Sequence, residues 1–333
     1  MCARGSTVSP CGPLHTPHGT NRNEAVKVLR TPDSCFADLP DYNFDPHYVT
    51  VPDDRYGPLR MHYLDEGDRD APVILLTPTQ GSWVYIYRHV IPLLTAAGYR
   101  TVAPDYIGFG RSDKLPSETD YSFQRHIDWL KSFLQQTEIR DATGFLFDWG
   151  GFFGLRLAAE EPELFARLVC LNTQLPTGDP SPGHQWFRDW RARMLALPRF
   201  PQGEMVQSGV VRKLSNAEIA AYDAPYPEAH YLTGPRRFPM ILPIDPDNPA
   251  RPANLAAWEK LGSYTKPVLT LFAASFLGTS TGPENLIEHI PGAAGQPHAG
   301  IPDTSFYLIE DAAAELARRS IDFIRATTLP GPD

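Results

Sequence analysis

GFLFDWGGFFGLRLA, residues 144–158, is the stretch whose reading decides the fold. An apolar run stops at Asp148, and the small residues Gly150 and Gly151 then open a second, helix-like apolar run. Strand, sharp turn and helix in that order make a nucleophile elbow, where the side chain on the turn is held up above the end of the sheet. The backbone N–H of Trp149 would then point toward the reacting centre. The same residues also fit an aspartate that merely caps a helix after a buried strand. The flanking sequence separates the two readings.

Outward from the elbow, β-rich apolar runs alternate with helical patterns. Strands are expected at 47–51, 60–67, 72–77, 100–106, 142–148, 167–173, 266–273 and 296–301. Helices are expected near 84–97, 121–137, 150–161, 283–290 and 311–327, the last with Leu316, Ile321 and Phe323 or Ile324 on its apolar face. Alternation of this kind predicts a mostly parallel central sheet flanked by helices, an α/β fold. From about 175 to 262 the strand rhythm gives way to short helical pieces: HQWFRDWRARMLAL, SNAEIAAYDA and ANLAAWEKLG. This insertion is expected to be a helical cap over the carboxyl ends of the strands, where ligands of open α/β sheets bind. The domain reading is therefore a core of 26–174 and 263–333, a cap of 175–262, and a disordered extension over 1–25 that lacks the apolar run of a signal peptide.

Composition narrows the function classes. Hydrophobic residues at 42% and charged residues at 21% are ordinary for a globular chain. A net charge of −9 argues against nucleic acid or an anionic membrane as partner, and no apolar run approaches the roughly 20 residues of a membrane span. Cys2, Cys11, Cys35 and Cys170 show no C-x-x-C spacing, which suits a reducing, cytoplasmic setting. No His/Cys/Asp cluster has metal-ligand spacing. Gly108-Phe109-Gly110 lacks the third glycine of a dinucleotide fingerprint, so no cofactor is expected. The oligomeric state is not legible.

Seven stretches carry a resemblance. They are MHYLDEG (61–67), SWVYIYRHVIPLL (82–94), VAPDYIGFGRSDK (102–114), DWGGFFGLRL (148–157), NTQLPTGD (172–179), AYDAPYPEAHYLTGPRRFP (221–239) and IPGAAGQPH (290–298). In this order the chain resembles the haloalkane dehalogenases after residue 26, which implies an α/β-hydrolase fold with a helical cap. In that family the elbow aspartate displaces halide from an sp³ carbon to form an alkyl ester. A histidine oriented by an acid activates water to hydrolyse the ester, and two indole N–H groups hold the halide. By this resemblance Asp148 is the nucleophile, Trp149 the adjacent halide donor and Trp190 the cap donor, with Trp186 close by in sequence.

Other positions depart from the family. Its H-G-E-P turn reads Pro78-Thr79-Gln80-Gly81, leaving Gln80 to donate through its backbone N–H. The acid after the strand KPVLTLF reads Phe276, the alternative acid position reads Asn172, and the family's G-H-F reads Ser305-Phe306-Tyr307. Asp148 is thus the catalytic candidate, and Trp149, Trp190, Gln80, Phe147, Phe276, Phe306, Asn172 and Trp83 are the substrate-binding candidates. Phe147, Phe276 and Phe306 would desolvate Asp148 and raise its pKa, by up to about 3–5 pH units at complete burial. The resulting expectation is a cofactor-independent enzyme that has left hydrolysis behind. It would cyclise, isomerise, eliminate or open an epoxide by proton transfer on an apolar small molecule, with secondary metabolism one setting for such chemistry. The alternatives are a non-catalytic ligand-binding protein, or a residual haloalkane dehalogenase or epoxide hydrolase whose base lies elsewhere. For that base His184 and His230 in the cap and Asp303 near Phe306 are the candidates.

Overall fold

A computed structural model describes residues 27–179, 182–197, 199–274 and 283–327. The extension expected over 1–25 and Phe276 lie outside the described residues. Eight strands run in chain order: β1 His47–Val51, β2 Leu59–Glu66, β3 Val73–Thr77, β4 Arg100–Pro104, β5 Ala142–Phe147, β6 Phe165–Leu171, β7 Val268–Ala273 and β8 Ala299–Ile301. They form one sheet in the order β1-β2-β4-β3-β5-β6-β7-β8. β1 pairs antiparallel with β2 and β2 with β4, while every later pair is parallel. This is the α/β-hydrolase fold.

The first three helices are α1 Ile91–Ala96, α2 Phe123–Gln136 and α3 Trp149–Glu160. Five more lie between β6 and β7: α4 Pro182–Leu195, α5 Gln202–Ser208, α6 Asn216–Asp223, α7 Thr233–Ile241 and α8 Arg251–Leu261. The last two are α9 Glu284–His289 and α10 Leu308–Ala326. The helix expected over 84–97 divides into a 3₁₀ turn at Val84–Tyr87 and α1. Pro92 sits in the first turn of α1, where its missing N–H is harmless, but it cannot extend a helical ladder back to residue 88. α10 starts earlier than expected, at Leu308, and carries a kink at Ala312.

Central β5 is buried at all six positions, as a parallel strand covered on both faces must be. α2 shows the opposite pattern, with Phe123, Ile127, Leu130, Phe133 and Leu134 buried on one face and Ser122 capping its first turn. Of the helices between β6 and β7, α6 is tied to the segment before α1 and to α10 by buried charge. Arg88, before α1, reaches Glu310 on α10 and Glu218 on α6, the latter at 2.9 Å. Arg212 and the Tyr222 hydroxyl close the same cluster on Glu310. A buried ion network of this size holds only when its members satisfy one another.

Candidate active site

Asp148 is the single residue between β5 and α3, with φ 46° and ψ −109°, a conformation few non-glycine residues adopt and one the surrounding structure must enforce. Its N–H donates to the Leu171 carbonyl at 3.0 Å, and its carbonyl accepts from the Thr173 hydroxyl at 2.7 Å. Gly150 and Gly151 are required by close approach. A Cβ on the first would collide with Thr77 at the end of β3, and one on the second with Thr173. The Asp148 side chain does not cap α3. Instead its Oδ2 accepts from the Thr79 hydroxyl, and the Trp149 backbone N–H beside the carboxylate favours its charged form. The geometry is that of a sharp strand-to-helix elbow and not of an aspartate whose side chain caps the helix.

The carboxylate faces a cavity of about 190 Å³, lined by Asp148, Gln80 and Trp149 on the sheet side. That volume is well above the ~10–15 Å³ one water needs. The opposite wall is largely apolar, with Phe187 and Trp190 of α4, Met205 of α5, and Leu242 and Ile244 beyond α7. Burial pushes the Asp148 carboxyl up to about 7, against the Thr79 hydroxyl and the Trp149 N–H, which pull it down. No cationic side chain among the described residues offsets this, so desolvation dominates.

The expected site residues divide in space. Gln80, Trp149, Trp190 and Phe306 line the cavity together with Asp148. Trp149 is stacked on Phe238 of α7 with ring centres 4.1 Å apart, which fixes its indole under the α7 wall. Trp186 also lines the cavity but is 46% exposed, whereas Trp190 is half-buried against Phe187. The Gln80 turn is anchored by Tyr307, whose hydroxyl donates to the Gln80 carbonyl at 3.1 Å.

Three expected substrate-binding residues are elsewhere. Phe147 lies under the floor, its ring 5.7 Å from that of Phe306, because the pleat turns it away from the cavity. Trp83 is fully buried, donating its indole N–H to the Ala221 carbonyl at 3.1 Å and stacking on Tyr85. Asn172 is a brace: its amide donates to the Phe306 carbonyl at 2.9 Å and accepts the Ala273 N–H at 2.8 Å. Asp303 is an exposed turn residue with φ 53°, and His230 is exposed beside Glu228. His184 does line the cavity. The residue that sequence reasoning passed over is Thr79, although its place beside Gln80 on the altered turn was a signal.

Among the described residues one group of potential metal ligands occurs, His89, Glu218 and Glu310. Its carboxylates are engaged by Arg88 and Arg212, so the donor set is neutralised by guanidinium and suits no cation.

A family profile described as alpha/beta hydrolase fold matches residues 72–213. A haloalkane dehalogenase of Psychrobacter cryohalolentis is 50% identical over 299 residues, which cover 90% of this chain and 98% of that protein. Another, of Mycolicibacterium paratuberculosis, is 48% identical over 303 residues, covering 90% and 99%. Among solved structures, tetrameric haloalkane dehalogenase DpaA from Paraglaciecola agarilytica matches with a TM-score of 0.81 at 28% identity, over 92% of this chain and 100% of that one.

These relatives overturn the expectation of a proton-transfer enzyme without hydrolysis. Proteins half identical to this one along nine-tenths of its length are haloalkane dehalogenases. The expectation leaned on Phe306, Phe276, Asn172 and the altered Pro78–Gly81 turn, all read in register along the chain. A base is defined by what faces the reacting atoms in space, and register along one loop does not determine that. Among these, Phe306 and Gln80 line the cavity.

Proposed function

Because this chain belongs to the haloalkane dehalogenase family of the α/β-hydrolase fold, we propose that it hydrolyses the carbon–halogen bond of a small, apolar haloalkane. The observation that carries this reading is the Asp148 carboxylate, held by Thr79 at the elbow and facing an apolar cavity whose walls carry both Trp149 and Trp190. An Asp148 oxygen attacks the halogen-bearing carbon, a C–O bond forms as the C–X bond breaks, and the halide leaves with the bonding pair. Two indole N–H groups suit a departing halide, because they offer hydrogen bonds without a competing negative charge. Water then attacks the ester carbonyl, the C–O bond to Asp148's carbonyl carbon breaks, and the alcohol departs.

Desolvation supports the first step. A carboxylate that burial has destabilised, and that is held by the Thr79 hydroxyl in place of a water shell, is a stronger nucleophile than one in water. With Oδ2 left as the carbonyl oxygen of the ester, the Thr79 hydroxyl that holds it is a donor suited to the tetrahedral oxyanion.

The test is halide release from a small bromoalkane, followed beside intact-protein mass spectrometry of wild type and Asp148→Asn. Many halides per wild-type chain and none from the variant support the proposal. Absence of both halide and adduct refutes it, and a lasting adduct at one halide per chain refutes the hydrolytic half.

A further inference from the structure

Ester hydrolysis needs a base, typically worth about 10²–10⁴-fold in rate, and a base must face the ester. Most histidines among the described residues are committed elsewhere. His62 is 2.7 Å from Asp105, His298 bonds the Ala293 carbonyl at 2.7 Å, and His289 bonds the Trp258 carbonyl at 2.6 Å while stacking on that indole. His126 is boxed in by the rings of Tyr121, Phe153 and Phe238. Of the described histidines, His184 alone lines the cavity that holds Asp148.

His184 sits in the first turn of α4, and Phe187 and Trp190 farther along the same helix line the same cavity. Its residue is 7% exposed, yet Nδ1 has no hydrogen-bond partner. A buried imidazole nitrogen without a partner is costly unless water or a ligand satisfies it. We propose that His184, carried on the cap and facing the elbow across the cavity, is the general base of the hydrolytic half-reaction; this rests on the haloalkane reading above. A water bridging His184 and the Asp148 ester gives its proton to the imidazole as its oxygen bonds to the Asp148 carbonyl carbon. When that carbon's bond to the alkoxy oxygen breaks, the imidazolium returns that proton to the departing alcohol, and the carboxylic acid left on Asp148 releases water's second proton to solvent to restore the carboxylate.

The charges around His184 fit this use. Burial and Arg188, one turn along α4, lower its pKa and keep the ring neutral and able to accept a proton. Asp179 and Asp245 act in the opposite sense and would stabilise the imidazolium once it forms. Carbon in the place of a ring nitrogen at position 306 then leaves the pocket a base, supplied from above rather than from the loop before α10.

The experiment is rapid-quench kinetics with 1-bromobutane, reading halide and intact mass in wild type, His184→Gln and His184→Asn. The expected result is a retained burst of one halide per chain in the variants, an alkyl adduct that accumulates on Asp148, and steady-state release reduced about 10²–10⁴-fold. Added imidazole then restores turnover, which a purely structural defect would not allow. Variants that turn over at the wild-type rate without adduct overturn the assignment. So does a wild type that itself stalls at one halide with a lasting adduct, although that result leaves displacement by Asp148 standing. Absence of any halide or adduct in wild type overturns the haloalkane reading and this inference together.

Discussion

Replacing Asp148 by asparagine removes one ionisation and little volume, so the pH dependence of its effect on stability isolates the burial of that charge. In the folded protein the carboxyl holds its proton up to about 7, against an ordinary value of 3.8 in the unfolded chain. Its contribution to stability is therefore fully present below the unfolded value and is lost as pH rises through about 7. A rise from 3.8 to about 7, at ~1.36 kcal/mol per pH unit, is on the order of 4 kcal/mol at most. Changes in hydrogen bonding to Thr79 or the Trp149 N–H displace the whole variant curve without giving it a slope. Urea unfolding of wild type and Asp148→Asn at pH 4, 6 and 8 reads this directly. The advantage of the variant should grow across that range by an amount approaching 4 kcal/mol, most of it gained by pH 7. Parallel pH profiles for the two proteins would refute the desolvation argument, and with it the account of why this carboxylate is reactive.

The same ionisation should appear in function: first-turnover halide release should rise with pH around a midpoint near 7, because only the carboxylate displaces halide. A midpoint near 4 in rapid-quench data would show an ordinary, solvated aspartate. Thr79→Val removes a donor that stabilises the charged form, so its midpoint should move upward and its ester should hydrolyse more slowly, by about 10²–10³-fold if the hydroxyl serves the oxyanion. Arg88→Met leaves Glu310 and Glu218 sharing the guanidinium of Arg212, and urea unfolding should show a loss of about 3–5 kcal/mol. Asn172→Ala strands the Ala273 N–H and the Phe306 carbonyl, so a loss of about 2–3 kcal/mol is expected, with the cavity wall at Phe306 loosened and KM raised.

The fold was legible because its signals are local. Alternating strand and helix patterns, the apolar run into Asp148, and Gly150 and Gly151 after it all act through neighbours in the chain. Each structural strand falls on, or within two residues of, an expected run. The elbow and the helix-rich segment after β6 follow from the same periodicities. The occupants of the cavity were a different matter. Phe147 and Trp83 read as pocket residues by their place near the site, but the pleat turns one away and an aromatic cluster absorbs the other. Asn172 read as an altered acid, and it holds the loop of Phe306 to the edge of β7. The role of Thr79 is not written in its neighbours, because the turn after β3 brings its hydroxyl to a carboxylate 69 positions away. His184 stood among several candidate bases until the packing of α4 placed it on the cavity wall and left its Nδ1 without a partner. Periodicity and turn chemistry are properties of adjacent residues, and a sequence states them openly. Which side chains share a few ångströms of buried space is settled by how distant elements pack, and for this chain only the tertiary structure decided it.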